Sequence, residues 1–220
     1  RLWVDTPEHG FPFLSSTDIL QADLSNLSYI AKSVARENSQ LIIKNQWILI
    51  TRSGTIGRTA YSRSDMNGLA CTEDVLRVIP EKRLVKPGYL YAYLCTKFGL
   101  PLIISGTYGS IITHLEPHHI ADLPVPRLNE VEDQAHALVQ RAADLRVDAA
   151  ELLNIAGRRI NEQFGFPEKL AISHRVFSCT VASSSQIQTR LEATFHDAIA
   201  QESDRLINGV SCKDKLSTLG

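Results

Sequence analysis

The chain has 220 residues, 44% of them hydrophobic and 21% charged, enough to bury the core of one or two domains. Its apolar runs, such as LIIS at 102–105 and WILI at 47–50, are too short for a membrane span or a secretory leader. Four cysteines, Cys71, Cys95, Cys179 and Cys212, lie far apart without a CxxC pair, as expected of a reduced cytoplasmic protein.

The net charge of −1 conceals a segregation. Residues 41–64 hold no acid but carry Lys44, Arg52, Arg58 and Arg63. Residues 82–115 repeat the pattern with Lys82, Arg83, Lys86 and Lys97. Residues 130–162, by contrast, set seven acids against four arginines. Charge runs are usually solvated faces, yet two basic stretches on one part of the chain suit a polyanion.

Residues 1–128 read as a mixed α and β domain. LIIK (41–44) and WILITR (47–52) are short strand candidates around an Asn45-Gln46 turn. In SGTIGRT (53–59), Gly54 or Gly57 at positive φ would close a hairpin. Arg52, Ser53, Thr55 and Arg58 furnish that turn with donors for phosphates and base edges. VLRVIP (75–80) is a further strand, and YLYAYLCTKFG (89–99) has helical spacing, with Leu90, Tyr93, Leu94 and Phe98 on one face and Gly99 as its stop. GSIITHL (109–115) returns to strand character, and LPVPRL (123–128) should run extended. Within GTYGSIITH, Tyr108, Ser110 and His114 repeat the chemistry of the first turn and are expected on the same surface; a core position for Tyr108 against Tyr61 or Phe98 is an equal alternative.

From Glu130 to about Asn161 the pattern changes. Proline is absent, and Val131, Leu138, Leu145 and Leu152 recur every seven residues. Ala135, Ala142, Ala149 and Ala156 keep the same repeat beside them. This predicts a helix over 129–163, roughly 48 Å long, whose leucine and alanine rows pack against another long helix. Asn129 is its expected N-cap, and Glu130, Glu132 and Asp133 suit the positive end of the helix dipole. Farther on, residues 186–207 predict an amphipathic helix with Leu191, Phe195, Ile199 and Leu206 on its apolar side.

Catalytic motifs are missing. SGTIGRT has neither the glycine spacing nor the Gly-Lys-Ser/Thr of a phosphate loop, and it is not a dinucleotide fingerprint. The chain contains no E-x-K or D-x-K pair, no GxSxG elbow, and no Asn/Asp-Pro-Pro-aromatic tetrapeptide. His114, His118 and His119 cluster without a second convergent set of ligands, so a surface or hydrogen-bonding role outweighs a metal site. No catalytic residue, metal or cofactor is assigned.

The motifs GFPFLSSTDI, WILITRSGTIGRTAY, TEDVLRVIP, VKPGYLYAYLCTKFG and GTYGSIITHLEPHHIADLPVPRLNEVEDQ, followed by the long helix, occur in one order. Over residues 10–161 this series resembles the target recognition domain and following helix of type I restriction–modification specificity subunits. The resemblance implies an α+β recognition domain over 1–128, a long spacer and dimerisation helix over 129–163, and the opening of a second recognition half over 164–220. RLEATFHDAIA (190–200) is similar to the segment that opens such a half. It also implies a non-catalytic cytoplasmic protein that reads one half of a bipartite site in double-stranded DNA and positions methyltransferase and restriction subunits.

In the family, two long helices pack antiparallel. Here the segment expected before Arg1, the second recognition domain and its helix are not found, so the leucine row is expected to be covered by residues 187–207, by a partner subunit or, the favoured reading, by a second copy of the chain. The proposed DNA-contacting set is Lys44, Arg52, Ser53, Thr55, Arg58, Arg63, Tyr108, Ser110 and His114. The rival reading is a protein-interaction scaffold whose basic stretches are incidental.

Overall fold

In the computed structural model, residues 2–105, 114–167 and 197–210 are described. The chain divides into two compact units, 1–152 and 153–220. Helices and sheets both build the first unit, as expected of an α+β protein.

Two small sheets form it. One has the order β1-β3-β2-β6, from Trp3–Val4 (β1), Gly10–Leu14 (β2), Ser28–Ala31 (β3) and Ala70–Cys71 (β6). Its β2–β6 pairing is parallel and its other pairings antiparallel. The second is antiparallel, with β4 (Ile48–Thr51) between β5 (Thr59–Tyr61) and β7 (Val75–Val78). All four residues of β4 are buried. Successive side chains point to opposite faces of a strand. Leu49 thus joins Leu14, Ile43, Met66 and Val75 in one cluster, while Ile48 and Ile50 join Leu76, Leu90, Leu94 and Ile103 in another. A strand covered on both sides explains the unbroken apolar run ILI.

Helix α1 (Lys32–Glu37) follows β3, and α2 (Pro87–Leu94) and α3 (Gly99–Ser105) cover the second sheet. The helix expected over 89–99 ends early, at Leu94, and Gly99 is not its stop but the first residue of α3, where a Cβ would collide with the backbone of Tyr93 and Leu94. Phe98, expected on the apolar face with Leu90 and Leu94, is exposed instead, with the Lys97 ammonium 5.2 Å from its ring centroid. LIIK is not a strand: Ser39–Leu41 form a 3-10 turn, and Ile42 makes a single bridge to Ala70. The segment 123–128 is neither helix nor strand and leads from α4 (Pro117–Ala121) to α5 (Glu130–Phe164).

The cap of α5 differs from expectation. Asn129 lies in the left-handed region at φ 48°. It is the Glu132 carboxylate that turns back, accepting from the Leu128 N–H at 2.9 Å and from Arg127 Nε and Nη2 at 2.8 and 2.9 Å. These donors, Arg127 foremost and then the Leu128 amide, hold Glu132 below the usual carboxylate range.

In the second unit, α5 continues past Leu152 to Phe164, whose ring stacks on Phe166 at 5.5 Å. Helix α6 (Ala198–Asn208) starts at Asp197, which accepts from the Ile199 N–H at 2.8 Å. The remainder of the predicted helix over 186–207, with Leu191 and Phe195, lies outside the described residues. Among the described residues no helix is long and apolar enough to cross a membrane.

Candidate nucleic-acid interface

The turn between β4 and β5 is built around one hydroxyl. Thr51 Oγ1 donates to the Thr55 carbonyl at 2.5 Å and accepts from the Arg58 N–H at 3.0 Å. The backbone closes beside it, with Thr51 N–H donating to Arg58 O and Gly57 N–H to Thr51 O, both at 2.9 Å. Gly54 and Gly57 both have positive φ, 66° and 82°. Gly57 is confined as well, since a Cβ there would come within 3.2–3.3 Å of Ile104 and Leu100, whereas Gly54 faces open space. The Thr51 hydroxyl and two positive-φ glycines thus give a hydrogen-bonded turn with an exposed tip.

The turn's polar side chains are not equivalent. Thr55 and Arg58 are exposed, and Ser53 is half-buried. Arg58 has no carboxylate within ion-pair distance among the described residues. Arg52 is engaged inward, its Nη2 paired with Glu116 Oε1. Its N–H donates to Asp74 O, and its carbonyl accepts from the Leu115 N–H, each at 3.0 Å. Arg52 therefore pins the chain after residue 113 to the glycine turn. Glu116 also caps α4 in a box with His119, whose Nδ1 accepts from the Glu116 N–H at 3.0 Å. This gives His119 a structural hydrogen-bonding role.

Arg63 does not belong to the surface. It is 4% exposed, and its guanidinium is spent on Asp65 Oδ1 and Oδ2 at 3.0 and 2.9 Å and on the Gln21 and Ala22 carbonyls at 2.8 and 3.1 Å. An arginine with its donors used internally, beside a carboxylate, has little left for phosphate. Lys44 and His114 are exposed. Tyr108 and Ser110 lie outside the described residues. In the second basic stretch Lys86 is paired with Asp133 at 2.9 Å, while Lys82, Arg83 and Lys97 are exposed and without an ion pair among the described residues. The unpaired positive groups are thus fewer than the sequence suggests.

Two clefts flank β5 and share Thr59. One, about 380 Å³, is lined by Thr55–Thr59, Leu94, Cys95, Leu100 and Ile104. The other, about 330 Å³, lies among Ile19, Tyr61, Arg63, Tyr91 and Arg146. Tyr61 is pushed up to about 12 by burial and by the Asp144 carboxylate, so its hydroxyl stays a neutral donor.

The chain is similar to the specificity subunit of a type I restriction enzyme. The relative is the Type I restriction enzyme EcoBI specificity subunit of Escherichia coli, 26% identical over 144 residues, which are 64% of this chain and 30% of that protein. The chain thus spans less than a third of the relative's length. No family model matches. This distant likeness points to the same family as the ordered motifs.

On α5, the expected interface splits. Through Leu152, the leucine row is exposed: Val131 50%, Leu138 69%, Leu145 56% and Leu152 65%. Ala135 is half-buried, and Ala142, Ala149 and Ala156 are exposed. A different stripe, Glu132, His136, Gln140 and Ala143, meets the domain. Gln140 Oε1 accepts from Gln46 Nε2 at 3.0 Å and from the Tyr61 hydroxyl at 3.2 Å. These polar ties were not foreseen. Their only sequence signal is His136 and Gln140 one turn apart among alanines, which is faint.

Proposed function

We propose that the chain is a non-catalytic DNA-recognition element of a type I restriction–modification system, reading one half of a bipartite duplex target. In this reading residues 1–128 form the recognition domain, 129–163 the spacer helix, and 164–220 the start of a second recognition half. The observation that carries it is the Thr51-organised turn, which holds Ser53, Thr55 and Arg58, without an ion pair among the described residues, at its tip, in a chain similar to a specificity subunit. Arg58 is the foremost phosphate or base-edge donor, with Lys44 and His114 beside it in the proposed set; Arg52 acts by holding the turn.

The exposed leucine row is the assembly surface in this account. Apolar patches of this kind on a surface mark docking sites. A second copy of the chain would cover it antiparallel, as a coiled coil, with methyltransferase and restriction subunits as the further partners in the cytoplasm. The same row favours the rival reading, a scaffold without DNA specificity. Duplex binding measured across a salt series separates the two. Counterion release predicts a linear fall of log affinity with log salt for the DNA reader. Absence of duplex binding at low salt would leave the scaffold.

A further inference from the structure

Helix α2 starts without a cap of its own. Lys86, at its N-cap position, makes no side-chain cap bond, and Pro87 has no N–H to satisfy. The free amides of a first turn need acceptors from elsewhere. The Gly88 N–H finds one across the fold, donating to His136 Nδ1 on α5 at 3.1 Å. Glycine is required there by space: a Cβ would lie 2.7 Å from His136 Nδ1 and 2.9 Å from its Cα and carbonyl oxygen. Gly88 and His136 are therefore a steric seat and a hydrogen bond at one point.

The contacts around this point are also polar. Lys86 pairs with Asp133 at 2.9 Å on one side, and Gln140 takes Gln46 and Tyr61 on the other. Among these ties His136 is the one whose acceptor disappears on protonation. A protonated imidazole has donors on both nitrogens, so its Nδ1 cannot receive the Gly88 N–H. It would also place a positive charge at the positive end of α2.

We propose that His136 is a positioning residue that caps α2 across the domain–helix junction, seating the domain on α5 while its ring is neutral and loosening it when the ring is protonated. The charged groups acting on the ring are Lys86 and Lys82 from the chain before α2, and Asp133 from α5. Burial first, then Lys86, hold its pKa below the ordinary histidine value, with Asp133 opposing. A group depressed in the folded state contributes stability above its unfolded pKa, about 6.5, and loses it as pH falls through the folded value. The junction is therefore firm at pH 7 and weakens in acid. The capping claim stands on the junction alone. Its consequence, that the angle of the recognition domain on its spacer helix is set here, rests on the DNA-recognition reading.

The test is NMR of the whole chain between pH 5 and 7.5, following the His136 ring and the hydrogen exchange of the Gly88 amide, with the Leu94 amide reporting that α2 is folded. At pH 7 the Gly88 amide should be protected, and protection should fall about tenfold beyond the intrinsic pH effect as His136 is protonated, the worth of one hydrogen bond. In His136→Asn, whose Oδ1 can stand in for Nδ1, protection should persist and lose its pH dependence. In His136→Leu it should be low throughout while Leu94 stays protected. Gly88 protection that ignores His136 protonation, or that survives in His136→Leu, overturns the proposal. Duplex binding by the same samples is read separately: its absence with the Gly88 pattern intact would refute DNA recognition and leave the cap standing.

Discussion

Up to Leu152, helix α5 carries two stripes that invert the usual rule. The stripe facing the domain is made of Glu132, His136, Gln140 and Ala143, and the stripe facing outward of Val131, Leu138, Leu145 and Leu152. Polar residues are inside because the surface they meet is itself polar, offering a Gly88 N–H, a Tyr61 hydroxyl and a Gln46 amide. Each needs a partner when buried, and each has one. The leucine row, in contrast, stays half or more exposed. Its regularity suits another helix. The lesson is that a heptad row need not face the domain the helix belongs to.

The largest effect should come from closing the gap on the inner stripe. Gly88→Val sets a branched side chain against His136 and should cost about 3 kcal/mol by overpacking, seen as a lowered denaturation midpoint. Gly54→Val, in open space at φ 66°, should cost less, about 1–2 kcal/mol from backbone strain alone. Ala143→Glu, a carboxylate without a partner at the 5% exposed alanine, should cost about 2 kcal/mol. Equal midpoints for Ala143→Glu and wild type would break the comparison.

The outer stripe should answer differently. Leu145→Glu should leave monomer stability within about 0.5 kcal/mol, since the leucine is already exposed. It should abolish self-association, read by sedimentation. Wild type and variant sedimenting alike as folded monomers of equal stability would remove the antiparallel dimer from the account. At the glycine turn, Arg52→Ala should lower stability by about 1 kcal/mol or less, because it frees Glu116. Arg58→Ala should leave stability unchanged in the same melts.

Much of the scaffold was legible because it is local. The β4–β5 hairpin, a positive-φ glycine in its turn and the span of α5 follow from β-branched runs, glycine spacing and an unbroken helical repeat, although the structure puts both Gly54 and Gly57 at positive φ where one was expected. What was not legible is what distant residues do to a charge. Arg63 reads as one more cation in an acid-free stretch, yet Asp65 lies just past its end and the Gln21 and Ala22 carbonyls fold over it. Arg52 is neutralised by Glu116, far along the chain. LIIK failed as a strand because its apolar residues fill the core from a 3-10 turn and a single bridge. The His136 cap was invisible for the same reason, since its partner is a backbone amide and leaves no side-chain signature.

The central claim is that the tip of the glycine turn meets DNA while the helix meets protein, and Arg58 tests it most directly. Duplex affinity of wild type and Arg58→Ala should be measured over a salt series with both proteins shown to be folded. The account predicts weaker binding by the variant and a log–log salt slope shallower by about one, the loss of one phosphate contact. Identical affinities and slopes would contradict it and leave the turn a hairpin and nothing more.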